Sequence, residues 1–203
     1  ASGAKFVPVG VQGPCGGYNS DIADAIIWAS GGTVSGVPAN ANPAEVINMS
    51  LGGGGACSST YQNAINSAVS RGTVVVVAAG NSNANVANFT PPSCSNVISV
   101  AANDRQGNRA SYSNYGTLID VTAPGGETAT SSNGVLSTLN SGSTTPGSEG
   151  YAFYQGTSMA APHVAGVVAL MQSVEASTPA QVESILKSTA RSLPGSCSGG
   201  CGA

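Results

Sequence analysis

The sequence predicts an α/β fold of three layers, in which a mainly parallel β-sheet lies between two layers of helices. Five short segments rich in apolar and β-branched residues alternate with helical patterns, at residues 5–11, 46–51, 73–79, 97–101 and 118–122. The first four segments are continuously apolar, which is typical of strands buried on both faces of a parallel sheet. A chain of 203 residues is long enough for one domain with its own core, and we expect a single unit over residues 1–203.

Two helices are predicted in the connections between the first three strands. Residues 21–30 place their apolar side chains at helical spacing. The second helix begins with Ser59 as the N-cap, because Gln62 three residues later completes the pattern of a capping box, and it ends at Gly72. Both helices are expected to be crossovers between parallel strands.

Two further helices are predicted near the end of the chain. The third begins at or beside Ser158 and runs to about Val174. The fourth is capped by Thr178, with Pro179 at its first position and Gln181 at its third. Together these four helices supply the two outer layers of the predicted fold.

Ser158 lies at the start of the third predicted helix, inside the string GTSMAAPHVAG of residues 156–166. The free N–H groups at a helix start, and the positive end of the helix dipole, stabilise developing negative charge, which favours an activated nucleophile there. A serine in this place can also be an ordinary N-cap. Ala160 occupies the last position of a Gly-x-Ser-x-Gly pattern, which counts against an α/β-hydrolase elbow.

Asn81 follows the apolar run 73–79, so its side-chain amide projects from the carboxyl end of a predicted strand. An amide N–H in such a place can donate to an oxyanion. The alternative is that an asparagine directly after Gly80 is only a turn residue.

Taken in order, the segments INMSLGG at 47–53, AAGN at 78–81 and GTSMAAPHVAG at 156–166 closely resemble the subtilisin-like serine proteases, especially secreted bacterial ones. The resemblance runs the length of the chain. It implies a serine endopeptidase that cleaves peptide bonds through an acyl-enzyme on Ser158. It also implies that the side-chain N–H of Asn81 and the backbone N–H of Ser158 form the oxyanion hole.

The histidine count conflicts with a complete catalytic triad. The chain has one histidine, His163, five residues after Ser158 on the same predicted helix, so the two side chains point about 140° apart and His163 cannot be the base. The resemblance implies that the catalytic aspartate and histidine lie upstream, in sequence contexts that do not occur here. We therefore expect a carboxyl-side part of a subtilisin-like domain that lacks its amino-terminal part and is inactive alone. The alternative is a non-catalytic proteolytic fragment that retains part of a peptide-binding cleft.

The resemblance also implies a cleft in which a peptide or protein substrate adds as a β-strand between two edges. Glycines are expected along these edges because side chains would collide with the incoming backbone. Tyr18 would form the wall of a subsite, although it can also be an exposed residue of a hairpin-like loop. The implied residues are Ser50, Leu51, Gly52 and Gly80 on one side and Gly16, Gly17 and Tyr18 on the other.

Five cysteines indicate an oxidising compartment, and we expect an extracellular, secreted protein. Cys197 and Cys201 enclose a flexible Ser-Gly-Gly spacer and are predicted to form a local bridge, and Cys57 and Cys94 are the natural second pair. Cys15 is then left over. The resemblance implies a bridge from Cys15 to the amino-terminal part, and a buried free thiol is the alternative. The spacing lacks the paired Cys-x-x-Cys clusters of a zinc site.

Asp120 is an acidic residue in an otherwise apolar segment, where an unpaired carboxylate is costly and needs a cation. Resemblance to the proteinase-K-like members implies structural calcium, held by Asp120 and the carbonyl oxygens of Ser95 and Val97. A salt bridge or a capped turn is the alternative.

The charge of the chain is sparse, with six basic against nine acidic residues and no basic cluster. This composition excludes a nucleic-acid partner of the usual kind. The longest apolar run, 73–79, is too short to cross a bilayer, so we expect no membrane partner.

Overall fold

The computed structural model describes residues 3–13 and 15–203, and it contains eight strands and four α-helices in that part of the chain. The strands are β1 (Val46–Met49), β2 (Gly53–Gly54), β3 (Val74–Ala78), β4 (Phe89–Thr90), β5 (Ile98–Asn103), β6 (Val121–Pro124), β7 (Val135–Asn140) and β8 (Glu149–Tyr154). The helices are α1 (Asn19–Ala29), α2 (Ser59–Ser70), α3 (Thr157–Val174) and α4 (Pro179–Thr189).

A parallel sheet in the order β1, β3, β5, β6 forms the middle layer. Every residue of β3 is buried, and its side chains alternate between two cores. Val74 and Val76 pack with apolar residues of α3 and α4, whereas Val75 and Val77 pack with those of α1 and α2. Each buried valine contributes roughly 1.5–3 kcal/mol relative to an exposed one. The sheet is therefore covered on both faces, which confirms the predicted three-layer α/β architecture.

The prediction of a first strand at residues 5–11 is wrong. Residues 5–11 belong to no strand in the described part of the chain and lie largely on the surface, with Phe6 89% exposed. Strand β1 lies at the edge of the sheet and pairs only with β3 in the described part of the chain, so segment 5–11 does not extend the sheet. An apolar sequence alone does not make a strand.

The last predicted strand begins later than expected, at Val121 in place of residue 118. The carboxylate of Asp120 accepts a hydrogen bond from the N–H of Ser99, at 2.9 Å, so this side chain faces the neighbouring strand's backbone before the ladder begins. Leu118 is exposed.

Helix α2 begins one residue earlier than predicted. Its N-cap is Ser58, whose hydroxyl accepts from the N–H of Tyr61. Gln62 does not complete a capping box, because its side-chain oxygen accepts from the N–H of Ser95 at 2.9 Å. The expected end of the helix is confirmed, with Gly72 at φ +90° directly after the C-cap Arg71.

Helices α3 and α4 begin where the sequence predicts. Thr178 caps α4, and a full capping box with Gln181 is present, with Pro179 at the first position. Helix α3 runs from Thr157 to Val174 and contains Pro162 in its interior.

Two disulfides are formed, Cys57–Cys94 and Cys197–Cys201, which confirms both predicted pairs. Cys15 is exposed and forms no disulfide with any other described residue, so the alternative of a buried thiol is wrong.

Candidate active site

Ser158 is the second residue of α3 and lies at the carboxyl ends of β1 and β3. Gly156 precedes the helix with φ +151°, a conformation that side chains rarely adopt. Its N–H donates to the carbonyl of Gly125 at 3.0 Å. The turn before the nucleophile is thereby fixed to the chain that follows β6.

Reciprocal hydrogen bonds join Ser158 to the end of β1. The Ser158 hydroxyl donates to the carbonyl of Ser50 at 3.3 Å, and the Ser50 hydroxyl donates to the carbonyl of Ser158 at 2.9 Å. The side-chain amide of Asn48 donates to the Ser50 hydroxyl at 3.0 Å. Ser158 is half-buried, so its hydroxyl remains open to the cleft.

The amide of Asn81 is oriented by Thr157. The Asn81 oxygen accepts from the N–H of Thr157 at 2.8 Å and from its hydroxyl at 2.9 Å. A backbone N–H is a donor only, so this end of the amide must be the oxygen. The amide nitrogen is the other end, and it would lie 3.5 Å from a Cβ atom at Gly156. Thr157 is fully buried, and its hydroxyl also accepts from the N–H of Gly80 at 3.0 Å.

The backbone N–H of Ser158 has no hydrogen-bond acceptor among the described residues. The first hydrogen bonds within this turn run from the N–H groups of Met159 and Ala160 to the carbonyl of Gly156. The nitrogen of this N–H and the amide nitrogen of Asn81 both lie within 3.6 Å of the position that a Cβ atom at Gly156 would occupy. Two such donors can stabilise an oxyanion beside the Ser158 hydroxyl.

A cleft of 360 Å³ opens beside Ser158. Of the residues expected to bind substrate, Ser50, Leu51, Gly52 and Gly80 line it, whereas Gly16, Gly17 and Tyr18 do not. Tyr18 is 79% exposed at the start of α1, and Gly17 packs on the carbonyl of Val11. Their assignment to the opposite wall stays a prediction. The remaining lining residues include Gln12, Gly53, Gly54, Ser82, Phe89, Thr90 and Pro92.

His163 is not placed to serve Ser158. Its Nδ1 atom is 2.7 Å from the carbonyl oxygen of Met159 one turn earlier, and the side chain lies on the exposed face of α3. The prediction that this histidine does not act as the base agrees with this geometry.

Asp120 and Ser95, two of the three residues expected to hold calcium, form hydrogen bonds with other protein groups. One oxygen of the Asp120 carboxylate lies 2.9 Å from the Lys187 ammonium, and the other accepts from Ser99. The Ser95 carbonyl accepts from the side chain of Gln62. The carboxylate raises the pKa of Lys187, chiefly through the hydrogen bond between them. The cation beside the Asp120 carboxylate in this structure is therefore the Lys187 ammonium, and calcium at Asp120 stays a prediction.

The sequence profile of Peptidase S8, the subtilase family, matches residues 1–203. The chain belongs to the subtilase family. An extracellular protease of Xanthomonas campestris pv. campestris is 70% identical to this subtilase over 205 residues, which cover 100% of this chain and 34% of that protein. Subtilisin Savinase of Lederbergia lenta is 40% identical over 195 residues, covering 95% of this chain and 63% of that protein. A solved structure of a protease from Pseudoalteromonas arctica has a TM-score of 0.95 and 63% identity, covering 98% of this chain and 59% of that one.

This subtilase thus shares its fold and family with serine proteases, and it spans about a third of the length of the Xanthomonas relative. That relative is named as extracellular. Within residues 3–13 and 15–203, no helix has the length and apolar character needed to cross a membrane.

Two residues that shape the site of this subtilase were missed at the level of sequence. Thr157 stands next to Ser158, and no sequence pattern distinguishes it from the rest of the GTSMAAPHVAG string. Asn114 lies in a polar loop sequence that signals only a turn, although its side chain is fully buried beside Asn81. No local pattern marks a polar residue whose partners lie 30 or more positions away.

Proposed function

We propose that this chain is the nucleophile-bearing part of a secreted serine endopeptidase, with Ser158 as the nucleophile. The Ser158 oxygen adds to the scissile carbonyl carbon while its proton passes to a base, and the NH₂ of Asn81 and the N–H of Ser158 bind the resulting oxyanion. Collapse of the intermediate breaks the C–N bond, the amine leaves with the proton, and water then hydrolyses the Ser158 ester. The orientation of the Asn81 amide by Thr157 is the observation that carries this proposal.

The substrate would be a peptide in extended form, bound along residues 50–52. This segment continues β1 beyond its last ladder residue and borders the cleft. A Cβ atom at Gly52 would lie 2.9 Å from the carbonyl oxygen of Thr90, so glycine is needed for the two walls to approach. We place Gly16, Gly17 and Tyr18 on the opposite side of the bound peptide.

The base and its orienting acid would come from outside these 203 residues. The single histidine of the chain bonds to Met159 and points away, and the Ser158 hydroxyl meets only the carbonyl of Ser50 among the described groups. The isolated chain would then at most bind peptides. In subtilisin, loss of the catalytic histidine lowers kcat by about 10⁶. The partner would be an upstream segment, which exposed Cys15 can bind through a disulfide.

Labelling with a fluorophosphonate tests this function. The purified chain should not be labelled at Ser158, and addition of the upstream segment of the Xanthomonas relative should restore labelling and peptide hydrolysis together. Ser158→Ala is the matched control and should abolish both. Rapid stoichiometric labelling of a preparation shown by mass to contain this chain alone would contradict the proposed source of the base. Labelling of the complemented protein at a residue other than Ser158 would contradict the nucleophile.

A further inference from the structure

Asn114 is fully buried, and its side chain bonds to the backbone on both sides of Asn81. Its amide nitrogen donates to the carbonyl of Ala79 at 2.8 Å. Its amide oxygen accepts from the N–H of Ser82 at 3.0 Å and from the N–H of Ala84 at 3.1 Å. One side chain therefore satisfies three backbone groups of the loop that presents the oxyanion donor.

The backbone around Asn114 pairs with the same loop. The N–H of Asn114 donates to the carbonyl of Gly80 at 2.9 Å, and the N–H of Asn83 donates to the carbonyl of Tyr112 at 2.8 Å. These bonds alternate along the loop with those made by the Asn114 side chain. Removal of the side chain would leave the Ser82 and Ala84 N–H groups without the acceptor that they have in the folded protein.

The fit between the loop and Asn114 is close. Gly80 has φ +103°, and a Cβ atom there would lie 2.4 Å from the side-chain nitrogen of Asn114. The loop can approach the amide to this distance only because residue 80 is glycine. A displacement of Asn114 would therefore be transmitted directly to the residue before Asn81.

The chain segment that contains Asn114 also contacts the residue before helix α3. The hydroxyl of Tyr112 donates to the carbonyl of Gly126 at 2.7 Å and accepts from the N–H of Gly156 at 3.0 Å. Gly156 is the residue before α3. Tyr112 therefore contacts the start of this helix, and Asn114, two residues later, contacts the loop that holds Asn81.

We propose that Asn114 is a positioning residue for Asn81, holding its loop so that the amide donor and Ser158 keep one relative position. Asn114 lines no part of the cleft and acts only through the loop. This inference rests on the proposed function. In subtilisin, loss of the oxyanion asparagine lowers kcat by about 10²–10³, and this value is the upper limit for a residue that acts through it.

The test compares Asn114→Ser with Asn103→Ser, a matched truncation of a buried asparagine whose side chain donates to Asp104. Hydrogen exchange of the segment 80–84 is measured first, on the complemented protein. Asn114→Ser should speed exchange at Ser82 and Ala84 by at least about tenfold. Asn103→Ser should leave this segment unchanged.

Kinetics of a peptide p-nitroanilide then separate positioning from general destabilisation. Asn114→Ser should lower kcat by about tenfold with a smaller change in KM, and this loss should nearly vanish in an Asn81→Ala background, because the two residues act through one donor. A purely structural role would give the same loss in both backgrounds. If Asn114→Ser fails to fold, Asn114→Asp keeps the shape and the acceptor oxygen but removes the donation to Ala79, and the same cycle applies.

The outcomes separate the two levels of the proposal. Unchanged exchange at Ser82 and Ala84, or equal losses in both backgrounds, would overturn the role of Asn114. A complemented wild-type protein with no hydrolysis and no Ser158 labelling would instead overturn the proposed function, and exchange alone would then decide whether Asn114 holds the loop.

Discussion

Thr157 links helix α3 to the proposed oxyanion donor Asn81 through one hydroxyl. That hydroxyl donates to Asn81 and accepts from the N–H of Gly80, and Thr157 itself is fully buried. We expect Thr157→Val, which keeps the shape of the side chain, to lower kcat of the complemented protein by about tenfold, since two hydrogen bonds of about 1 kcal/mol each are lost. Thr157→Ser should retain most activity because it keeps the hydroxyl. Equal kcat values for the valine and serine variants would count against this role.

Burial raises the pKa of Tyr112 to about 12, against 10.0 for an exposed tyrosine. The neutral phenol is favoured in the folded protein, so its contribution to stability is complete below pH 10 and is lost as pH rises from 10 to about 12. We expect Tyr112→Phe to remove the latest step of phenolate absorbance at 295 nm in a rapid alkaline titration. Tyr61, whose pKa burial also raises, provides an internal reference. Loss of an early step in the variant would contradict the assignment.

At the level of residues, local patterns in the sequence point to Ser158 and Asn81 as candidate site residues but not to the residues that hold them in place. Ser158 and Asn81 stand at a helix start and a strand end, and both features are visible as local patterns. Asn114 and Tyr112 contact the site through backbone groups of distant segments, and these contacts exist only once the sheet has assembled. A side chain that bonds to the backbone of a distant segment cannot be identified from a local sequence pattern.

Among the elements, the strands were predicted best where both neighbours are present. Strand β3 has β1 on one side and β5 on the other, and its apolar run was read within one residue of its observed bounds. Segment 5–11 has the same character but no neighbouring backbone, and it forms no strand in the described chain. A strand needs a partner as well as a composition, which a pattern in one segment cannot supply.

The ion pair between Asp120 and Lys187 connects the start of β6 to α4. We expect Lys187→Met to lower the urea midpoint, because the partly buried carboxylate loses its cation. If the ammonium is the only cation that Asp120 binds, EDTA should leave the wild-type melting temperature unchanged. Glu183→Gln is the control, since it leaves the bond to Asp120 intact. Structural calcium at Asp120 predicts instead that EDTA lowers the melting temperature and that Asp120→Asn abolishes this sensitivity.

For the whole molecule, the two disulfides should differ in their contribution to stability. Cys57 and Cys94 are 37 residues apart, whereas Cys197 and Cys201 are separated by four. Loop closure in the unfolded chain gives about 4 kcal/mol for the first bridge and about 2 kcal/mol for the second. The double variant Cys57→Ala/Cys94→Ala should therefore lower the free energy of urea unfolding more than Cys197→Ala/Cys201→Ala. A reversed order would show that native-state contacts outweigh chain entropy.

Pro162 has a consequence for how the outer layer is attached to the sheet. In a regular helix the N–H of residue 162 would donate to the carbonyl of residue 158, but proline has no such hydrogen. The Ser158 carbonyl is therefore open, and the hydroxyl of Ser50 occupies it from the end of β1. An interruption that weakens the helix thus creates the acceptor by which the residue after β1 anchors α3 at Ser158.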